Sequence, residues 1–574
     1  MLCNDPALFR DDMLKGYVAA YPSYVMEVPG GVVSARETPQ GKVAVMNGGG
    51  SGHYPAFCGI VGDGLMDGCV VGNVFTSPSC EDVLGVAHSL DCQSGLMIVG
   101  GNYAGDKMNF DMARDRLRAA GIDARTFYIT DDVSAAPPEQ APLRRGNVGT
   151  FLVFKAAGAA AAAGLSLDEV ERVTIKANDR TRTMSIGLRG CTLPGHTKPL
   201  FEVPDGLMEV GQGIHGESGV AEKPVASAQE VASLLVERVL AEAPGDTHRL
   251  AVVLDGLGST KYEELFVVWG TVSQLLDDAG YELVEPVVGE VVTSLDMEGI
   301  ALAVQYLDEE LERLWCAPCA SPGFSRGPQL TPAKLKDPEQ VASSQNGDGS
   351  LWAPASPAAQ AQGRIAAQAL ATMAACMADQ EEMLAQIDSV CGDGDHGRGM
   401  VKGSKAAAAI AQEAVDAQAG VGSVLQAAGD SWRAAAGGTS GVLWGSALWT
   451  LGEALGDERE VIDAALMAQA VDAGAAKLLA MGGAHLGDKT MMDALLPFAQ
   501  ALGEGADQGL SLDDAWAKAT EVAKQAAQDT AHLTAKIGRA RPQAARSLGT
   551  PDAGAISLAL CLEATGLGSS QRSQ

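Results

Sequence analysis

Three aspartates stand close together in the stretch from Asp388 to Gly397, which also contains Asp393 and Asp395. Carboxylates at this spacing raise one another's pKa unless a cation lies among them. Mg²⁺ removes that cost, and protein-bound Mg²⁺ usually completes its coordination with water and substrate phosphates. The cluster therefore predicts a metal–nucleotide site, although an isolated Asp-Gly-Asp is more often a solvated acidic turn before a helix.

Candidate catalytic groups in the first half of the chain follow short apolar segments. His53 ends a predicted Gly-rich loop with four glycines, Asn47–His53, which lacks the ending of a P-loop and the spacing of a dinucleotide fingerprint. Asp106 is expected on a Gly turn after the apolar segment 96–99, and His215 lies between glycines. Two histidines and an aspartate suit acid–base or nucleophilic chemistry on a small polar molecule, although each residue alone is more often structural.

Alternating elements must position these groups. Short apolar segments bounded by glycine predict buried strands at 42–46, 69–71, 96–99 and 250–254. Helical periodicity occupies 108–120, 228–242 and 261–280. This alternation predicts an α/β domain with a largely central sheet, in which ligand sites lie at the strand ends.

A change of composition divides the chain. Residues 321–358 are rich in Pro, Ser, Gly and Gln and predict a linker. Ala-rich amphipathic segments follow it nearly to the end. We therefore expect an α/β domain over 1–320 and an all-helical domain over 359–574.

Composition narrows the functional classes. The 574 residues carry a net charge of −31, which argues against nucleic acid or an anionic membrane surface as a partner. Eleven scattered cysteines indicate a reducing compartment. Cys316 and Cys319 form an isolated CxxC motif, which is interpreted as incidental and not as a redox or zinc site. No signal peptide or membrane-spanning segment is visible, so a cytoplasmic protein is expected.

The motifs together resemble the dihydroxyacetone kinase family. In the first half these are GGGSGH, GNVFTSPS, NYAGD and GIHGE, and in the second half Asp-x4-Asp-Gly-Asp-His-Gly, Gly437–Gly441, Gly487–Asp493, Gly538–Ala540 and Asp552–Ala555. The order is the family's, and the resemblance covers nearly the whole chain. It implies a ketose-binding α/β domain followed by an eight-helix barrel that binds Mg-ATP.

The resemblance also implies residue roles in the first domain. His215 would attack the keto carbon of a short ketose and form a covalent hemiaminal. Asp106 would accept the proton of the terminal hydroxyl as that hydroxyl attacks the γ-phosphate, with His53 hydrogen-bonding beside it. Gly50 and Ser77 would hold the substrate's oxygens.

In the second domain, the resemblance assigns two Mg²⁺ ions to Asp388, Asp393 and Asp395, where they would bridge the phosphates of ATP. The phosphates would lie in the loop of His396, Gly397, Arg398 and Gly399 and at Thr439 and Ser440. The nucleotide pocket would be lined by Gly482, Met491, Arg539, Asp552, Ala553 and Gly554.

Two positions depart from the dihydroxyacetone-using members. Those members commonly have Glu where this chain has Tyr54 and Lys where it has Gly101. Loss of a Lys side chain vacates space at the pocket, and the chain is similar to members that phosphorylate erythrulose, a four-carbon ketose. Either a change of substrate or simple repacking accounts for both positions.

Other readings of the resemblance remain open. The chain could be a dihydroxyacetone kinase proper with FMN-cyclising FAD-AMP lyase side activity. It could also be a non-catalytic ketose-sensing protein, although that class normally lacks the helical domain or its aspartates. The family suggests a homodimer, and domain closure or a second chain must bring the nucleotide to Asp106.

Overall fold

The computed structural model describes residues 2–328, 352, 354–392, 394–436, 438–537 and 544–566. The chain divides into two compact units, Met1–Leu335 and Lys336–Gln574. The predictions for Asp393, Gly437 and Arg539 lie outside the described residues, as do 329–351 and 353 of the expected linker.

The described part of the first unit is an α/β structure with fifteen strands. The strands are β1 Val25–Val28, β2 Gly31–Ser34, β3 Ala44–Ser51, β4 Gly68–Val74, β5 Leu96–Gly101, β6 Ala124–Ile129, β7 Thr181–Arg189, β8 Leu207–Val210, β9 Ala221–Pro224, β10 Arg249–Gly256, β11 Glu282–Leu283, β12 Val287–Gly289, β13 Glu298–Tyr306, β14 Cys319–Ala320 and β15 Ser325–Arg326. The helices are α1 Phe9–Ala20, α2 Cys80–Ala87, α3 Ala104–Ala119, α4 Thr150–Ala162, α5 Leu167–Asp179, α6 Ala228–Leu240, α7 Tyr262–Asp278 and α8 Glu309–Cys316.

Two larger sheets replace the single central sheet that the strand pattern predicted. The first has the order β1-β2-β4-β3-β5-β6, and β3 pairs in parallel with both β4 and β5. The second has seven strands in the order β11-β10-β13-β7-β8-β9, with β12 also paired to β10. One apolar core includes Val45 of the first sheet, Phe151 of α4 and Val253 of the second sheet. The shared core fixes the strand ends of both sheets relative to one another.

The described part of the second unit is helical, as the sequence predicts. Its helices are α9 Pro357–Asp379, α10 Glu381–Ser389, α11 His396–Asp416, α12 Val421–Ala436, α13 Gly438–Leu455, α14 Ala464–Gly482, α15 Met492–Asp507, α16 Leu512–Asp529, α17 Ala544–Ser547 and α18 Ala553–Ala564. One of them, α14, is long and apolar enough to cross a membrane by length and composition. It packs against α13 and α15 with Ala468 and Leu478 buried, as a core helix does.

Several boundaries differ from the sequence-based expectation. The glycine segment 48–50 was expected to be a loop, but it continues strand β3 and is buried. Asp106 was expected on a turn and lies in the first turn of α3. Residues 325–326 fall in the expected linker, yet they pair with β14 as a short hairpin. Glycine favours loops locally, and neighbouring strands override that preference here.

Candidate functional site

The predicted catalytic residues of the first unit come from four different elements. His53 follows β3, and Ser77 lies between β4 and α2. Asp106 belongs to the first turn of α3, and His215 lies in the loop between β8 and β9. The fold therefore gathers side chains that are far apart in the sequence.

A series of hydrogen bonds runs through the two histidines. His53 Nδ1 lies 2.7 Å from the carbonyl oxygen of Thr293, and His53 Nε2 lies 3.0 Å from His215 Nε2. On the other side of His215, Nδ1 lies 3.1 Å from Glu217 Oε1. The His215 backbone N–H donates to Glu217 Oε2 at 3.0 Å, so Glu217 fixes both the ring and the backbone of His215.

The protons in this series can be assigned from their partners. Burial and the neighbouring His215 lower the pKa of His53 to about 3, so the His53 ring is neutral at neutral pH. A neutral ring that donates from Nδ1 to Thr293 keeps a lone pair on Nε2. The Glu217 carboxylate can only accept, so His215 Nδ1–H donates to it. The contacts at Nδ1 and Nε2 together fix the orientation of the His215 ring.

Glu217 is supported by a partly buried cation, Arg145. Burial alone would raise the pKa of Glu217, but its hydrogen bond and attraction to His215, with a smaller contribution from Arg145, lower it to about 2. Arg145 Nε donates to Asp132 Oδ2 at 2.8 Å, and its NH2 group donates to the carbonyl of Gly211 at 2.8 Å. Asp132 is fully buried. This frame holds the loop that carries His215.

Asp106 has the environment of a proton acceptor. Its side chain is buried, and Ser77 Oγ donates to Asp106 Oδ1 at 2.5 Å. Burial raises the pKa of Asp106, whereas Ser77 and His215 oppose that rise. A Cβ at Gly105 would lie 2.9 Å from the Cβ of Ser77, so glycine permits this approach. A carboxylate with a raised pKa in a pocket suits general base chemistry.

Asp106 and His215 line one small pocket together with Gly49, Gly50 and Tyr103. Strand β3 pairs with β4 as far as Ser51 but with β5 only as far as Asn47. Beyond Asn47, the glycine backbone of β3 therefore has no described strand paired on its β5 side. This part of the backbone faces the pocket. The opening suits a small molecule with several oxygens, because peptide groups supply both donors and acceptors.

Tyr103 and Gly101 shape the wall of this pocket. The Tyr103 ring meets the His215 ring edge-on with centroids 4.8 Å apart, and its hydroxyl donates to the Gly146 carbonyl at 2.7 Å. A Cβ at Gly101 would lie 2.8 Å from the Tyr103 ring. Tyr54 instead lines a neighbouring, larger cavity with Tyr17, and the described residues around the small pocket do not include it. Of the two departures, Gly101 is the one at the pocket.

In the second unit, Asp388 and Asp552 line a second pocket. Asp388 lies in the last turn of α10 and accepts the Gly394 N–H at 2.9 Å. Asp552 caps α18 by accepting the Ala555 N–H at 2.8 Å. Burial, with Asp493 and Asp388 nearby, raises the pKa of Asp552 to about 6. Mutually unfavourable carboxylates of this kind fit a divalent cation held by oxygen ligands.

Among the described residues no group of three potential metal ligands is assembled. Asp395 is exposed, and its carboxylate makes no capping bond at the start of α11. Asp388 and Asp395 nevertheless stand on either side of Asp393 in the sequence, and Asp393 lies outside the described residues. The donor set present is therefore compatible with Mg²⁺, whose remaining ligands are usually water and phosphate.

The predicted phosphate loop 396–399 is the first turn of α11 instead. The correction preserves the chemistry, because the N–H groups of a helix N-terminus also attract phosphate. His396 Nε2 lies 2.9 Å from Ser557 Oγ, and burial lowers the pKa of His396. Gly397 is buried, and a Cβ at this position would lie 2.1 Å from the Glu381 carbonyl oxygen. Arg398 is exposed, and a Cβ on Gly399 would stand in open space.

The remaining predicted nucleotide residues fall into two groups. Ala553 lines the Asp388 pocket, and a Cβ on Gly554 would lie 3.5 Å from the Met491 Cβ, so these residues are brought together. Thr439 and Ser440 begin α13 and Gly482 ends α14. None of these three is among the described residues that line the Asp388 pocket.

Sequence reasoning missed several residues that the structure places at the sites. Glu217 stands two residues after His215, and that spacing was the available signal. Arg145 and Asp132 carried no signal, because their relation to Glu217 depends on how β6, β8 and α4 pack. Lys489 lies within a recognised motif but was given no role.

Comparison with known proteins agrees with both halves. The Dak1 domain matches residues 15–323 and the DAK2 domain matches residues 390–566. The chain is 53% identical over 562 residues to a D-erythrulose kinase of Mycolicibacterium smegmatis, covering 98% of this chain and 97% of the relative. It is 47% identical to an L-erythrulose kinase of Pectobacterium atrosepticum, covering 98% of this chain and 95% of the relative.

A solved structure shares the architecture over the full length. The crystal structure of the dihydroxyacetone kinase from C. freundii in complex with AMP-PNP and Mg²⁺ is 26% identical, with a TM-score of 0.60 and coverage of 99% of each chain. Together with the two domain matches, these relatives place every motif of the chain in one family. The chain therefore belongs to the dihydroxyacetone kinase family, in the subgroup of the erythrulose kinases.

Proposed function

We propose that the protein is an ATP-dependent kinase that phosphorylates the terminal hydroxyl of a short-chain ketose, with erythrulose favoured over dihydroxyacetone. One observation supports this most directly: the pocket below the glycine backbone of β3 is lined by both a histidine positioned for attack and a buried carboxylate. Kinase activity with ATP agrees with the family to which the chain belongs.

In the proposed first step, His215 Nε2 forms a bond to the keto carbon. The attacking lone pair is on Nε2, which lies 3.0 Å from His53 Nε2. The π-electron pair of the carbonyl moves to its oxygen, which takes up a proton from solvent to give a hemiaminal hydroxyl. Nδ1 keeps its proton, so Glu217 remains opposite the positive charge that forms on the substituted ring. Polyols lack a carbonyl and are excluded.

In the proposed second step, Asp106 accepts the proton of the terminal hydroxyl while the hydroxyl oxygen bonds to the γ-phosphorus of ATP. The bond from the γ-phosphorus to the bridging oxygen breaks, and ADP leaves. The Ser77 hydroxyl orients the carboxylate and stabilises its ionised form. Covalent attachment of the ketose supports this step, because a fixed substrate presents its hydroxyl to one base.

On the nucleotide side, we propose that Asp388, Asp393 and Asp395 hold Mg²⁺, two ions in the family's arrangement, and that Asp552, Ala553 and Met491 border the nucleotide. Bound Mg²⁺ would neutralise phosphate charge that otherwise repels the incoming oxygen. The first turn of α11 offers its N–H groups to phosphate oxygens. The resemblance supports four further proposed contacts to the nucleotide, from Arg539, Thr439, Ser440 and Gly482.

The substrate preference rests on Gly101. The Tyr103 ring fills the space beside Gly101, so a longer side chain at position 101 would clash with that ring. A Lys at position 101 would displace the ring and add a cation at the pocket, so its absence favours a larger neutral substrate.

The test is a coupled ADP-release assay with dihydroxyacetone, D-erythrulose and L-erythrulose. We expect one erythrulose enantiomer to have the highest kcat/KM. A higher kcat/KM with dihydroxyacetone than with both enantiomers would refute the four-carbon assignment, and undiminished phosphorylation by His215→Ala would refute the covalent step.

Two coarser features are also proposed. The described cysteines form no disulfide bond, which fits a reducing, cytoplasmic location. The homodimer suggested by the resemblance can be tested by light scattering of the full-length protein, for which a mass of one chain at assay concentrations would exclude it.

A further inference from the structure

Lys489 makes an unusual set of contacts beside the proposed nucleotide pocket. Its side chain is buried, and its Nζ lies within hydrogen-bond distance of four backbone carbonyl oxygens. These belong to Thr530 at 2.9 Å, Leu533 at 3.0 Å, Ser547 at 2.7 Å and Thr550 at 2.6 Å. An ammonium has only three N–H donors, so four carbonyl oxygens cannot each receive a hydrogen bond of their own. They surround the positive charge of the ammonium instead.

The four carbonyls come from two segments that meet at the pocket. Thr530 and Leu533 directly follow α16, where the helix dipole presents negative potential. Ser547 and Thr550 directly precede Asp552, whose own N–H donates to Thr530 Oγ1 at 2.8 Å. Lys489 therefore ties the end of α16 to the start of α18. Carbonyl oxygens that surround a monovalent charge in this way also describe the coordination that proteins offer to K⁺.

The base of Lys489 is itself fixed. Its backbone has a φ of +64°, a conformation that side-chain-bearing residues rarely adopt. The Asp493 carboxylate accepts the N–H groups of Gly487 at 2.5 Å and Thr490 at 2.7 Å on either side of it. A turn held in this manner aims the lysine in one direction. The pocket lined by Lys489 also contains Asp388, Asp552 and Ala553.

We propose that Lys489 is a positioning residue for nucleotide binding and acts as a tethered monovalent cation that holds the described segments 530–533 and 547–552 beside the nucleotide pocket. The inference rests on the proposed nucleotide site. It explains why this lysine is buried although no carboxylate among the described residues forms an ion pair with it: its charge is satisfied by peptide dipoles. The wild-type enzyme then needs no K⁺ or NH₄⁺ for ATP binding, and loss of the ammonium creates such a requirement.

The test compares full-length wild type with Lys489→Ala, which lacks the three methylenes and the ammonium that n-propylammonium would restore. Lys536→Ala is the matched control, because Lys536 lies in the same region with 58% of its side chain exposed. ADP binding is measured by calorimetry and KM values for ATP and ketose by coupled assay, in buffers that contain only a bulky organic cation. KCl, NH₄Cl or n-propylammonium chloride is then added.

We expect Lys489→Ala to raise the Kd for ADP and the KM for ATP by roughly ten-fold or more, with an unchanged KM for ketose, because only the nucleotide wall is disturbed. NH₄⁺, K⁺ or n-propylammonium should recover most of the loss, and tetramethylammonium should not. Wild type and Lys536→Ala should not respond to these cations.

Unchanged nucleotide affinity in Lys489→Ala, or a loss that no small cation recovers, would overturn the proposal. A variant that merely loses stability would show a lower melting temperature with normal KM values. If Lys489→Ala does not fold, Lys489→Gln keeps two N–H donors without the charge and must show the same selective loss of ATP affinity. If wild type itself binds no ADP, the proposed nucleotide site fails, and that outcome is distinct from equal binding by wild type and variant.

Discussion

Glu217→Gln is the substitution that tests the first unit most directly. The carboxylate accepts both the backbone N–H and the Nδ1 proton of His215, and Arg145 lies behind it. Glutamine preserves the shape and one acceptor but removes the negative charge. If His215 becomes a substituted imidazolium during the reaction, the variant lacks the negative charge that would stabilise the positive ring.

The magnitude can be bounded in two ways. A hydrogen bond to a charged group contributes about 1.5–3 kcal/mol. The pKa of Glu217 falls from 4.5 to about 2, which corresponds to about 3 kcal/mol at most, and partial exposure of the side chain reduces this value. We therefore expect kcat/KM for the ketose to fall by roughly 10- to 100-fold.

The assay is kcat/KM for the ketose between pH 5 and 9, with KM for ATP measured in parallel. Because the pKa of Glu217 lies near 2, its carboxylate stays ionised over this range, and the defect should not vary with Glu217 titration. Glu209→Gln is the matched control: Glu209 braces the same loop by accepting the Gly219 N–H at 2.5 Å and the Gln212 side chain at 3.0 Å. It should lower stability without a comparable loss in kcat/KM.

The same variant makes a prediction for stability with a defined sign. A carboxylate whose pKa is depressed in the folded state stabilises that state above its unfolded pKa. The stability advantage of wild type over Glu217→Gln should thus be complete above pH 4.5 and vanish as the pH falls towards 2. A kcat/KM within two-fold of wild type, with this stability difference intact, would show that Glu217 is structural and would refute the reasoning.

Three further outcomes are expected. Ser77→Ala removes a hydrogen bond that stabilises the ionised Asp106, so the acidic limb of the kcat profile should move to higher pH by about one unit; an unmoved limb would contradict Asp106 as the base. Gly101→Ala must displace the Tyr103 ring, and kcat/KM for ketose should fall by roughly ten-fold with KM for ATP unchanged. Asp388→Asn should raise the Mg²⁺ concentration needed for half-maximal rate and lower kcat by on the order of 100-fold; equal Mg²⁺ dependence would remove Asp388 from the metal site.

The sequence predicted much of the fold because local patterns and tertiary packing agree over most of the chain. The predicted helices at 108–120, 228–242 and 261–280 correspond to α3, α6 and α7. The prediction failed where long-range pairing decides. The glycine segment 48–50 has loop composition, yet it is a strand because β4 pairs with it as far as Ser51. A single chain pattern carries no information about that partner.

The same distinction applies to the sites. His215, His53 and Asp106 were predicted because each stands in a short motif that resembles the family's. Their mutual geometry was not available: the 3.0 Å contact between the two Nε2 atoms joins residues 162 positions apart. That contact places His215 Nε2 beside a second imidazole, and only the folded chain brings the two rings together.

Cations with little exposure to solvent were the hardest groups to predict, although both candidate sites depend on one. In a chain with a net charge of −31, a lone Arg or Lys is expected to be solvated on the surface. Arg145 is instead held by Asp132 behind the His215 loop, and Lys489 is held by four carbonyls beside Asp552. A buried charge is tolerated only when its surroundings are already arranged to satisfy it. Each cation therefore indicates a rigid set of surrounding groups. Each of these sets holds an acidic residue in the position that the proposed chemistry requires.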